Sequence, residues 1–147
     1  MTTATKTDEQ QIRDLAEQGA AAMRAGDAAT MIAAYTPDAV TFTLAPPLVQ
    51  DAATTQDQAA LQAWLDGHGG SVGLDIGELT VVVEGDLAFS YGLQRMYSGA
   101  GPEEFELWHR ATTCYRRVDG EWQVVHAHTS TPFYMDGSFK AALDLKP

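Results

Sequence analysis

Apolar and polar positions along the chain change rhythm once, near residue 73. From Asp8 to Arg24 the positions Ile12, Leu15, Ala16, Gly19, Ala22 and Met23 recur at helical spacing with charges between them, which predicts an amphipathic helix. "AGD" at residues 25–27 stops it, and Asp27 is placed to cap a short second helix running to Ala34. "TPDA" breaks that helix, and "VTFTL" (residues 40–44) alternates as a strand does, closed by Pro46-Pro47. A third helix is predicted from about Thr55 to His68, ending in Gly69-Gly70. Beyond it the period falls to two. One strand runs up to Glu84, a second over Leu87 to Ser98, a third over Phe105 to Val118 and a fourth over Trp122 to Thr131. "EGD" supplies a turn and "GAGPE" a loop, and from Pro132 a loop with one helical turn is expected. Helices followed by an antiparallel meander make an α+β fold with helices on one face of the sheet. No repeat or linker interrupts it. The reading is one domain over 1–147, with 1–8 a flexible tail and 132–147 a C-terminal extension.

The last hairpin carries the densest chemistry. Strict alternation puts Trp122, Val124, His126, His128 and Ser130 on one face. "RVDGE" suits a three-residue loop with Gly120 left-handed, pairing Arg117 with Glu121. That register sets Thr112 opposite His126 and Arg110 opposite His128, with Trp108, Cys114 and Arg116 on the same side. A two-residue Asp119-Gly120 turn would bring Thr113 and Ala111 to the histidines instead. The first register is favoured, and its face is too polar for ordinary core, which points to a pocket.

Charge narrows the partners. With a net charge of −11, a pI near 4.5 and no basic face, neither nucleic acid nor anionic membrane is an expected partner. A single cysteine, Cys114, excludes an internal disulfide, and no signal-like or membrane-spanning apolar run is visible, so a cytoplasmic protein is expected.

The stretch "FELWHRATTCYRRVDGEWQVVHAHTSTPF", the ending "KAALDLKP", the "PP" after the first strand and "DLAFSYGLQRM" resemble the ketosteroid-isomerase-like, SnoaL-like branch of the nuclear transport factor 2 (NTF2-like) superfamily. The resemblance implies a cone, in which a curved antiparallel sheet wraps round a pocket covered by the N-terminal helices, and a homodimer formed through the outer sheet face. It does not bring one activity with it. Ketosteroid isomerases carry a general-base aspartate near the end of the first strand, where this chain has Thr43. Their oxyanion tyrosine lies in the first helix, where this chain has Gly19 or its neighbours. That pair is missing, which argues against steroid isomerisation by that mechanism. Many members of the branch read His-Glu-His where this chain has His126-Ala127-His128, and the lost glutamate would face away from the pocket.

These residues make His126 and His128 the candidate acid/base groups, because imidazole titrates near neutrality. Arg110 is the candidate stabiliser of an enolate or carboxylate, or else the ion-pair partner of Glu17 or Asp38. Thr112, Trp108, Trp122, Tyr35 and Tyr91 are candidate substrate contacts. No metal or organic cofactor is expected, since the histidine face lacks a further ligand and Arg110 would repel a cation. The expected function is a cofactor-independent isomerase, lyase or cyclase acting on a hydrophobic carbonyl-containing, polyketide-like metabolite. The alternative is a non-catalytic dimeric ligand-binding module.

Overall fold

The computed structural model describes residues 5–98 and 104–147, so the "GAGPE" loop, residues 99–103, lies outside the described residues. The elements are α1 (Asp8–Ala25), α2 (Ala28–Ala33), β1 (Tyr35–Phe42), α3 (Ala52–Thr55), α4 (Gln58–Gly67), β2 (Gly73–Glu84), β3 (Leu87–Ser98), β4 (Phe105–Val118) and β5 (Glu121–Ser130). The strands form one curved, unclosed sheet in the order β1-β5-β4-β3-β2. β2 to β5 are antiparallel neighbours, whereas β1 joins β5 in parallel, so the sheet is mixed where an antiparallel one was expected. The helices cover the concave side, giving the α+β cone. Among the described residues no helix is long and apolar enough to cross a membrane.

Local chemistry explains the boundaries. Thr7 accepts from the Gln10 amide while the Gln10 side chain accepts from the Thr7 amide, a capping box that starts α1. The next residue is anchored too. The Asp8 carboxylate accepts from Arg117 Nη1 and Nη2 at 2.9 and 3.0 Å and from Trp122 Nε1 at 3.3 Å, so Asp8, expected in the N-terminal tail, is anchored to the sheet. The expected third helix is α4, which starts later than Thr55 because Asp57 caps it by accepting from the Ala60 amide, and a short α3 that was not expected precedes it, capped by Asp51 accepting from the Thr54 amide. β1 begins at Tyr35, earlier than the alternation predicts, and contains Pro37. Proline is tolerated there because β1 is an edge strand whose outer side needs no donor. The C-terminal segment forms turns and an isolated bridge between Phe133 and Ala141 without the expected helical turn.

The β4–β5 hairpin departs from the favoured register. Asp119 and Gly120 both have positive φ, 50° and 82°, and Val118 pairs with Glu121 across a two-residue turn. Positive φ at both central residues is the condition for the hairpin turn that matches strand twist, and glycine meets it at least cost. Arg117 therefore pairs with Trp122 and Tyr115 with Val124. One extra residue, Val125, then interrupts the ladder, and Cys114 pairs with His126, Thr112 with His128 and Arg110 with Ser130. Trp122 and Val124 thus share the concave face with Ala127 and Thr129. His126 and His128 fall on the convex face.

The core lies in two clusters at the ends of the sheet. Ile12, Ala88, Tyr115, Trp122 and Val124 pack beneath the start of α1, and Ala28, Leu65 and Val72 pack between α2, α4 and the start of β2. Between them α1 turns Ala16, Gly19 and Ala20 toward open space. A Cβ built on Gly19 would meet no atom within 4 Å. Gly19→Ala should therefore raise the unfolding free energy by about 0.5–1 kcal/mol, the helix-interior cost of glycine, as read by urea denaturation.

Candidate functional site

The space between α1 and the concave face is a cavity of about 540 Å³. Leu15, Ala16, Gly19 and Met23 of α1, Leu61 and Trp64 of α4, and Ile76 and Leu79 of β2 make most of its wall apolar. It opens between the loop after β1 and the α3–α4 segment, where the lining residues Thr43, Ala45, Thr54 and Trp64 are exposed. Polar groups enter from the sheet. Alternation on β4 turns His109, Ala111, Thr113 and Tyr115 inward, and on β3 Ser90 and Gln94.

These side chains form two groups. At the deep end Ser90 Oγ and the Tyr115 hydroxyl share a hydrogen bond of 2.8 Å, both residues being 2% exposed. Thr113 faces Ser90 across the β3–β4 ladder, and Tyr35 reaches the same end through the Tyr35–Val124–Tyr115 row of the sheet. Burial pushes the Tyr115 phenol above its ordinary range, against the pull of hydrogen bonds with Ser90 and Thr113. Burial also raises Tyr35, followed by the nearby Tyr115, so both phenols keep their protons at neutral pH. The Tyr35 hydroxyl has no hydrogen-bond partner among the described residues. Nearer the opening His109 lies opposite Gln94. His109 is 4% exposed, its Nδ1 is buried without a partner, and burial holds it below the usual 6.5, hence neutral at pH 7. The Gln94 amide likewise has no partner among the described residues.

Part of the remaining polar lining is committed to structure. Gln50 Oε1 accepts from the Thr43 amide and its Nε2 donates to the carbonyls of Ala45 and Pro47, which fastens the loop beside the opening. Asp57, the lining carboxylate, caps α4. No lysine or arginine is among the described lining residues. The site can therefore offer neutral donors, neutral acceptors and one neutral base, but no buried counter-charge.

Of the eight residues singled out from the sequence, Tyr35 alone is among the residues lining the cavity. His126, His128, Arg110, Thr112 and Trp108 do share a face, as the pattern indicated, but it is the convex one. The favoured register had grouped Trp122 with Arg116. The two-residue turn pairs Trp122 with Arg117 instead and transfers it to the concave side. On the convex face His126 donates from Nδ1 to the Val40 carbonyl at 2.6 Å, and the Phe42 ring meets both histidines edge-on. Arg110 is exposed and donates from Nε to Ser130 Oγ at 3.2 Å. It has no ion pair among the described residues, and Glu17 pairs with Arg24. Tyr91 is half exposed and stacked on Phe89. Trp122 is core, with the Arg117 guanidinium 4.6 Å above its ring. Sequence reasoning missed His109, Gln94, Ser90, Thr113 and Tyr115. The signal was the Asp119-Gly120 dipeptide, which as a two-residue turn sets Tyr115 beside Val124.

A family model described as "SnoaL-like domain" matches residues 12–134. An NTF2-like protein of unknown function from Pseudomonas putida is similar in structure, with 35% identity over 95% of this chain and 96% of that one and a TM-score of 0.83. An NTF2-like protein with a cystatin-like fold from Novosphingobium aromaticivorans shares the fold at 20% identity, 95% and 90% coverage and a TM-score of 0.66. A ketosteroid isomerase-like protein from Erwinia carotovora atroseptica does so at 19% identity, 86% and 97% coverage and a TM-score of 0.66. No curated protein matches.

The depressed His109 fixes a pH dependence. Below about pH 6.5 the unfolded chain binds this proton and the folded chain resists it, so stability is full above that pH and is lost as pH falls toward the folded value. His109→Gln should flatten the fall of unfolding free energy between about pH 7 and 5, measured by urea denaturation at each pH. An unchanged slope would mean that His109 titrates as if exposed.

Proposed function

This chain belongs to the SnoaL-like family of NTF2-like proteins, and we propose that it is a small-molecule acid/base enzyme of the isomerase, lyase or cyclase kind. It acts on a hydrophobic, uncharged, carbonyl-containing, polyketide-like metabolite. The observation that carries this reading is His109, a neutral imidazole with a buried, unpartnered nitrogen, on the wall of a mostly apolar cavity. A base kept neutral by burial is poised to accept a proton. Gln94, its cross-strand neighbour, has a free amide for the carbonyl oxygen.

In this mechanism His109 takes a proton from the carbon next to the carbonyl. The C–H pair moves into a carbon–carbon double bond, the carbonyl π pair moves onto oxygen, and the Gln94 N–H holds the developing enolate. The imidazolium then returns the proton to a different carbon, or assists a leaving group, and is neutral again. Burial keeps the imidazole unprotonated before the reaction, makes the imidazolium a strong acid for the return step and strengthens the amide hydrogen bond to the enolate.

Solvent deuterium exchange at the α-carbon of 2-tetralone, an uncharged fused-ring ketone, tests the proposal by NMR. The protein should accelerate exchange over buffer, and His109→Gln should lose about 10²–10⁴-fold of that acceleration while still binding the ketone. Binding without exchange would favour the alternative, a non-catalytic ligand-binding module, for which Thr43 at the position of the isomerases' aspartate speaks.

The convex face supports homodimerisation. Val40, Val82, Phe89, Tyr91 and Leu93 stand 37–50% exposed on it, and apolar side chains gathered on one sheet face favour a covering second copy. Sedimentation velocity at micromolar concentration should give twice the 15.8 kDa chain mass, and Phe89→Lys should give the single mass. A monomeric parent protein would overturn this part.

A further inference from the structure

The wall of the cone is thin in a second place. Sheet order sets β1 and β2 at opposite edges, so the mouth lies at one edge and the seam between α1 and β2 at the other. On the outside of that seam Arg13 and Glu17 of α1 and Gly77 and Glu78 of β2 border a surface groove. Ala16, Ile76 and Leu79 line this groove and the cavity alike, so three side chains stand between solvent and interior.

A β-bulge builds this wall. Ile76 and Leu79 are three positions apart and would face opposite ways on a regular strand. Gly77 and Glu78 together oppose Leu93, and the extra residue returns both large side chains to the concave face. Close backbone approach holds the bulge against β3. A Cβ on Gly77 would lie 2.9 Å from the Leu93 carbonyl oxygen, and one on Gly92 would lie 2.6 Å from that of Glu78. The strand is therefore packed tightly toward β3 and loosely toward α1.

What joins the two sides of the seam is polar. An edge strand leaves alternate carbonyls unpaired, and α1 takes up two of them. Arg13 Nη1 donates to the Leu79 carbonyl at 2.8 Å and Arg24 Nη1 to the Leu74 carbonyl at 2.6 Å, with Asp75 a further 4.0 Å contact of Arg24. Among the described residues no other hydrogen bond joins α1 to β2. Each arginine is also paired with a carboxylate of its own helix, Arg13 with Glu9 and Arg24 with Glu17. The two attachments stand about 16 Å apart along the helix, and between them Ala16 and Gly19 bring almost no side chain to the cavity wall. Contacts of this exposed, charged kind are individually weak and are screened by salt.

We infer that this seam is a second portal into the cavity, closed by the side chains of Ile76 and Leu79 and latched by Arg13 and Arg24. A guest entering through the mouth blocks the way out for the water it displaces, and the seam lets that water leave at the other edge of the sheet. The inference needs only the cavity and holds whether or not His109 acts as a base.

Thiol reactivity tests the portal without turnover. In a Cys114→Ser background, Ala111→Cys puts a single thiol on the buried floor of the cavity, and Thr129→Cys on the paired strand is a second reporter. The probe is 4,4′-dithiodipyridine, an uncharged disulfide whose thiopyridone product is followed by its absorbance. Replacing both latches, Arg13→Gln with Arg24→Gln, should raise the reaction rate about fivefold or more. Salt at about 1 M should raise the rate of the parent protein but not of that variant. Ala16→Leu, which thickens the wall from the helix side, should slow the reaction. Ala45→Trp at the mouth should leave the acceleration by the arginine replacements in place. Urea denaturation of each variant separates opening of the seam from unfolding, and the acceleration should exceed the change in the unfolding equilibrium constant. A rate indifferent to both arginines and to salt, an acceleration no larger than the loss of stability, or a reaction stopped by Ala45→Trp would overturn the inference and leave the proposed chemistry standing.

Discussion

The extra residue at Val125 governs what the rest of this structure can do. A strand has only two faces, and an insertion of one residue exchanges them. Up to Val124, β5 turns its large apolar side chains, Trp122 and Val124, into the core beside Tyr115. After Val125 the same face continues with Ala127 and Thr129, which are small. Without the bulge His126 and His128 would follow Val124 into the interior and fill much of the cavity with polar side chains. The bulge also increases local twist, which suits a sheet that must wrap round its contents.

The cavity that results is an electrostatic environment of a particular kind. Its charged neighbours are spent elsewhere. Arg117 is divided between Asp8, Asp86 and the Trp122 ring, Arg24 is tied to Glu17, and Arg95 to Asp75 and Glu106. Inside, burial holds the His109 imidazole and the Tyr35 and Tyr115 phenols in their neutral forms, and the Gln94 amide carries no charge. Negative charge developing on a substrate can then be met only by hydrogen bonds, in a medium where each such bond is stronger than in water. This favours a small, transient charge over a permanent one, and so separates enolate-type chemistry from the binding of carboxylates or phosphates.

Much of the fold was legible because its periodicities are long. The span of α1 and the limits of β3 and β4 follow from apolar spacing almost to the residue, and the family likeness reached the cone as a whole. The candidate site was less legible, for a reason visible in "LWHRATTCY". Either parity of that strand carries one large aromatic, one basic group and small residues, so hydrophobicity does not say whether Trp108, Arg110 and Thr112 or His109, Ala111 and Thr113 face inward. The turn had to decide, and moving it by one residue carried Trp122 to the wrong set. "WQVVHAHT" hides the bulge as well, because two adjacent valines fit either face of a strand. Only the orphaned Nδ1 of His109 and its burial, which are properties of the packed state, identify that residue.

Stability and function pull against each other along α1. Its N-terminal turn is clasped by Asp8 to Arg117 and Trp122, and Ile12 is fully buried, so this end of the helix holds the closed end of the cone. Farther along, the face toward the sheet carries Ala16, Gly19 and Ala20, where larger apolar residues would bury more surface and remove empty volume. Glycine at position 19 forgoes both that packing and helix propensity, with nothing in contact to require it. A helix optimised only to cover the sheet would fill this space. Its staying open is most simply understood as room reserved for a guest, and the clasp at Asp8 lets the helix leave that room without letting go of the sheet.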